Sequence, residues 1–163
     1  MTQPDLVSQI LNTWNRHNDI LIYLIQEIPE AGLAAVPCQS RGRDVARQIT
    51  HMYRNRLGWI HFHETGKRPN LKRFDKGDPP EKAQLIQLMQ ESGDAVEQFL
   101  EKVLDGEVKP RMFGKSVIRW LGYLISHESH HRGQIMLALK QNGLRLPDRV
   151  AIQGLWGKWI MGK

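Results

Sequence analysis

The chain has 163 residues, 40% of them hydrophobic and 25% charged. That fits one globular domain over 1–163, with enough chain for a core that needs no disulfide or structural metal. The single cysteine, Cys38, excludes a disulfide framework and any Cys-rich zinc site. The opening residues have neither the basic nor the apolar region of a signal peptide, and the apolar run at 20–25 is too short to span a bilayer. A cytoplasmic protein without membrane association is therefore expected.

Taken in chain order, the pattern is helical throughout, and no strand-length alternation of apolar and polar residues occurs. A first helix is predicted over 5–28, with Leu6, Ile10, Trp14, His17, Leu21, Leu24 and Ile28 on one stripe and Asp5 near its start. A loop with Pro37 and Cys38 follows. A second helix is predicted over 44–64, with Asp44 as N-cap and Val45, Ile49, Met52, Trp59 and Ile60 on one side. Residues 66–80 form a long connection. A third helix, over 81–104, carries Leu85, Leu88, Met89, Val96, Phe99, Leu100 and Val103. The fourth, over 116–142, ends at Gly143, a typical C′ residue. After Pro147 a short helical segment places Ile152, Leu155, Trp156, Trp159 and Ile160 on one face, fit to cap the fold or meet a second subunit. The class is all-α, a four-helix bundle with a short C-terminal helical segment. The 66–80 connection reaches about 50 Å when extended, enough to return along a helix of about 30 Å and set two helices parallel.

Charge is uneven. Residues 41–76 hold ten Lys/Arg against three Asp/Glu, a net +7, while the whole chain carries +6. Such a segment attracts nucleic acid, acidic lipid or an anionic small molecule, and its plainest reading is a solvated surface. No nucleic-acid module is recognisable, and Phe74 is the lone aromatic of the basic loop, which argues against nucleic acid.

Seven histidines stand out: His17, His51, His61, His63, His127, His130 and His131. On a helical wheel His127 and His131 lie about 40° apart, with Trp120, Leu124, Ile135 and Ala138 close by, which predicts both inside the buried stripe. Their Cβ atoms, one turn apart, should be about 5–6 Å from each other, as two ligands of one ion require. Unpartnered imidazoles in an apolar stripe are costly, and a metal or a hydrogen-bond network relieves that cost. His130 falls toward the polar flank. Gln134 falls on the histidine face, where it could bond a ligand or simply a neighbouring helix. Gly133, in mid-helix, suggests close approach of another helix.

The run His127-Glu128-Ser129-His130-His131 also spells H-E-x-x-H, in which the glutamate is a general base. The extended zincin signature does not follow, since Gln134 and Leu137 stand where Gly and His are required. A third ligand must come from another helix. His17, His51, His61 and His63 are the candidates; the wheel favours His17, within an apolar stripe, over His51, which lies off one.

The stretch LISHESHHRGQIMLALKQNG over 124–143, together with Ile49-Thr50-His51-Met52 and Trp59 eight residues after the histidine, resembles the DinB family of damage-inducible proteins. The order and lengths of the helices agree. The resemblance implies an up-down-down-up four-helix bundle and a divalent metal on His51, His127 and His131. His17, Trp120 and Gln134 are candidates to line the pocket. Zinc or nickel suits three imidazoles, with iron, copper or manganese as alternatives. Homodimers are common among such proteins. Some relatives are thiol-dependent S-transferases or isomerases, so an anionic low-molecular-weight thiol and an electrophile are the implied partners. A three-histidine site leaves a position where a thiol, or water for hydrolysis, could be activated. Glu128, His130 and Gln134 are candidates for moving a proton or binding substrate, Glu128 being alternatively solvent-facing. Cys38 reads as an ordinary loop cysteine. A non-enzymatic binding module using residues 41–76 is the competing reading.

Overall fold

The computed structural model describes residues 5–37, 42–71, 73–74 and 80–162, and every regular element among them is helical. Four long helices are α1 (Leu6–Glu27), α2 (Val45–Thr65), α3 (Lys82–Leu104) and α4 (Val117–Gln141). A π-helical stretch, Arg149–Trp156, runs into the short α5 (Gly157–Met161). Local chemistry sets the ends. The Asp5 and Asp44 carboxylates each accept from a first-turn amide at 2.8 Å, that of Ser8 and that of Arg47 respectively. Gly66 closes α2 at φ +76°, a conformation only glycine adopts without strain.

Side-chain pairs give the helix directions. Glu30, just past α1, meets Lys82 at the start of α3, whereas Asn15 within α1 bonds Glu97 far along α3; the two helices are antiparallel. On α2, Arg56 bonds the Met89 carbonyl and His63 stacks on Phe99, so α2 and α3 ascend together. His51 faces His131, Asn55 faces His127 and His63 faces Trp120, so α2 and α4 are antiparallel. The long connection between α2 and α3 thus returns along the length of a helix.

The interior divides into two apolar clusters. One gathers Ile20 to Ile28, Val45 to Met52, Leu85, Met89 and Ile135 to Leu139. The other gathers Ile10, Trp14, Val96, Phe99, Leu100, Trp120 and Leu124. Between them each long helix contributes polar groups: His17 and Asn18, Arg56, Ser92, and Glu128, all buried. Gly93 completes this belt, because a Cβ there would collide with the Asn18 amide.

Two local expectations change. Gly133 is exposed, and a Cβ there would meet nothing within 4 Å, so no helix approaches it. In the C-terminal segment only Val150 and Leu155 are buried, while Ile152, Trp156 and Ile160 are exposed. The π-helical winding breaks the 3.6-residue period on which a single apolar face depends. Trp156 instead carries Arg132 over its ring at 5.1 Å. Cys38 lies outside the described residues. No described helix is long and apolar enough to cross a membrane.

Candidate metal centre

The buried stripe of α4 runs Leu121, Leu124, Glu128, His131, Arg132, Ile135, Ala138 and Leu139. It passes through Glu128, whereas His127, expected in its middle, is half-buried at its edge. On α2 the buried side runs through Ile49, Met52 and Arg56, which leaves His51 half-buried on the flank that meets α4. These two flanks bring His51, His127 and His131 together. Ring centroids are 5.2 Å (His51–His127), 5.0 Å (His51–His131) and 4.7 Å (His127–His131) apart. One nitrogen from each lies within 4.8 Å of the others, a group that could hold a metal ion.

The surroundings suit neutral, metal-binding imidazoles. Burial, then the charges of Arg43, His127 and Arg54, pushes the His51 pKa from 6.5 down to about 4. Burial, followed by the neighbouring His127 and His51, likewise brings His131 to about 4. His127 is lowered by burial against an opposing pull from Glu128. All three rings are then uncharged at neutral pH, with a lone pair to give. The His131 Nδ1–H donates to Gln48 Oε1 at 3.3 Å, which frees Nε2 to coordinate. Asn55 lies between His127 Nδ1 and the Tyr123 hydroxyl, 3.4 Å from each. The amide nitrogen faces His127 Nδ1 and the amide oxygen accepts from the Tyr123 hydroxyl; turned over, the same amide would accept Nδ1–H and free Nε2 there too. Bonds of about 2.0–2.1 Å in a tetrahedral site hold ligands roughly 3.4 Å apart. Small side-chain rotations close that difference, so the residues fit a divalent metal.

His17, the wheel's choice for a third ligand, is elsewhere. It is buried between Trp14 and Trp159, and its Nε2–H donates to Glu128 Oε2 at 2.9 Å. Glu128 is 0% exposed rather than solvent-facing. Arg56 grips both its oxygens, Nε on Oε1 at 2.7 Å and Nη2 on Oε2 at 2.8 Å. Burial raises the carboxyl's pKa, but the Arg56 charge and hydrogen bonds, with His17, bring it down to about 2. Arg56 Nη1 donates to Asn18, the Met89 carbonyl and Ser92, and its guanidinium lies 4.8 Å over Trp14. A carboxylate so enclosed is poorly placed as the general base of an H-E-x-x-H protease. The physical reason is angular: residues 127 and 128 point about 100° apart, and the core takes the glutamate.

The remaining site residues scatter. His130 is exposed, its ring 5.4 Å from that of His131. Gln134 is half-buried on α4. Trp120 is buried in the apolar cluster beside Phe99 and His63, two turns from His127. His63 accepts the Arg111 amide at 3.1 Å through Nδ1 and stacks on Phe99, so it serves the interior.

Two concavities flank the histidines along α2. One, of ≈ 300 Å³, is lined by Arg43, Arg47, Thr50, His51, Arg54, Arg73 and Phe74. The other, of ≈ 370 Å³, is mostly apolar, with Gly58, Trp59, Phe62, Leu71 and Met112 beside Asn55, Arg54 and Arg68. Sequence reasoning missed Gln48, Asn55 and Arg56. Arg56 had a signal: a cation four residues after core Met52, with a carboxylate four residues after core Leu124.

A family model described as the DinB family matches residues 1–153. No protein of curated function matches the sequence.

Proposed function

The chain belongs to the DinB family, and from that premise we propose that it binds a divalent metal, zinc or nickel, on His51, His127 and His131 and activates a low-molecular-weight thiol for transfer to an electrophile. The helix directions support reading α1 to α4 as an up-down-down-up four-helix bundle. The single observation that carries the proposal is the gathering of three imidazoles, each offering one nitrogen within 4.8 Å of the others, at the junction of a cationic and an apolar concavity.

A bound divalent ion on three imidazoles favours the deprotonated form of a thiol or of water at its open position. The chain's own residues do the rest. Gln48 fixes the His131 tautomer, and Asn55 stands beside His127 Nδ1. The arginine-lined concavity attracts an acid-bearing thiol, and the Trp59–Phe62 concavity suits an apolar electrophile and keeps water from it. Exposed His130 is the group available to exchange a proton with solvent, since Glu128 is committed to Arg56. We place the protein in the cytoplasm as a homodimer, for which exposed Ile152, Trp156 and Ile160 offer an apolar surface.

The test is turnover by protein loaded with zinc or nickel, using cysteine and glutathione as thiols and chlorodinitrobenzene as electrophile. Metal-dependent product formation, absent in His51→Ala, is expected. Turnover that is absent, or independent of metal and of His51, overturns the catalytic reading.

A further inference from the structure

The arginines beside His51 are placed by helix geometry. Arg47 stands three and four residues before Thr50 and His51, and Arg54 four and three residues after them, so all four share one face of α2. Arg43 precedes that helix, and its carbonyl accepts from Gln48 at 3.4 Å. Across from them, Phe74 meets the Tyr53 ring at 6.3 Å and brings Arg73 over the same face. The result is a concavity of ≈ 300 Å³ walled by four guanidinium groups, with His51 on its wall. Among the described residues no carboxylate pairs with any of the four. Arg54 Nε is buried and has no hydrogen-bond partner among them. Arg43 and Arg73 are exposed and Arg47 and Arg54 half-buried, but a buried guanidinium nitrogen such as Arg54 Nε normally finds an acceptor, because an unmade charged hydrogen bond is expensive.

We infer that this concavity binds a small molecule carrying two negative charges on oxygen, a dicarboxylate or a phosphate monoester, and holds it against His51. Four positive charges need more than one negative charge to balance them, and guanidinium forks match carboxylate and phosphate oxygens in pairs. A volume of ≈ 300 Å³ suits a small ligand rather than a polymer. The inference deepens the proposed function by giving the anionic co-substrate its place, and it rests on that reading only for calling the anion a co-substrate.

The experiment is calorimetric titration of the full-length protein with succinate, inorganic phosphate and, as a single-charge control, acetate. Succinate or phosphate should bind saturably, about tenfold or more tighter than acetate, and whichever is tighter tells dicarboxylate from phosphate recognition. Arg47→Gln and Arg73→Gln should each weaken that binding about tenfold, while Lys140→Gln on α4 leaves it unchanged. His131→Ala, measured in parallel for metal, should lose metal and keep the anion, so failure of the metal site and failure of the anion site are told apart. Equal affinity for acetate and succinate, or no effect of Arg47→Gln, overturns the inference. So does tight, steeply salt-dependent binding of a short single-stranded DNA with none of succinate or phosphate, which would make the surface a nucleic-acid interface.

Discussion

Two polar clusters meet on α4, one residue apart, and they are built in opposite ways. His127 joins His51 and His131 at a half-buried edge, with one nitrogen of each ring available within 4.8 Å of the others. Glu128 joins His17 and Arg56 at full burial, with both carboxylate oxygens bonded. The first cluster keeps unused valence near solvent, as a binding site must. The second uses nearly all of its valence inside, as a structural belt does between two apolar clusters. H-E-x-x-H spelling treats residues 127, 128 and 131 as one catalytic unit; the helix divides them between a candidate site and an anchor.

The sharpest way to break this comparison is to unpair the anchor. Arg56→Met leaves the Glu128 carboxylate buried without its main partner, and should cost about 3–5 kcal/mol in urea denaturation. Adding Glu128→Leu should recover most of that loss, because an apolar pair of similar volume spares both desolvation costs. A single variant of wild-type stability would show that Glu128 gains little from Arg56.

Acid should unmake both clusters in sequence. His51 and His131 have pKa values lowered from 6.5 to about 4. Between those values the unfolded chain binds more protons, so metal-free protein loses stability as pH falls from about 6.5 to 4. Glu128, lowered from 4.5 to about 2, contributes stability that is whole above about 4.5 and disappears as pH falls toward 2. Urea midpoints should therefore step down at about pH 7.5, 5.5 and 4; a flat profile would contradict the burial of these groups.

A smaller effect separates site from anchor more finely. Gln48→Ala removes the acceptor of His131 Nδ1–H, and metal affinity by competition titration should fall about 10–100-fold. Unchanged affinity would show that packing alone orients the ring. The smallest effect concerns neither cluster: exposed, uncrowded Gly133→Ala should stabilise α4 by about 0.5–1 kcal/mol in thermal melts.

Much of the fold was legible because apolar periodicity and caps are local. Asp5, Asp44 and Gly143 mark helix ends, and Leu24, Met89 and Leu124 mark buried sides. The anchor was not legible, since the apolar period leaves a gap wherever the core accepts a charge. Glu128 and Arg56 each fill such a gap, and only their pairing across α2 and α4 explains both. His51 was obscured for the converse reason. A site at the edge of the core lies off the apolar stripe, so wheel reasoning prefers His17, which the interior has already claimed for Glu128. The resemblance to the DinB family pointed to His51 where periodicity did not.

The most direct measurement is metal content by elemental mass spectrometry on untagged protein reconstituted with zinc or nickel, comparing wild type with His51→Ala and His17→Gln. The glutamine keeps a donor for Glu128 and so spares the anchor. About one metal per chain in wild type and in His17→Gln, with none in His51→Ala, is the expected result. Metal retained by His51→Ala and lost from His17→Gln, or no metal in wild type, would contradict the assignment of the site to His51, His127 and His131.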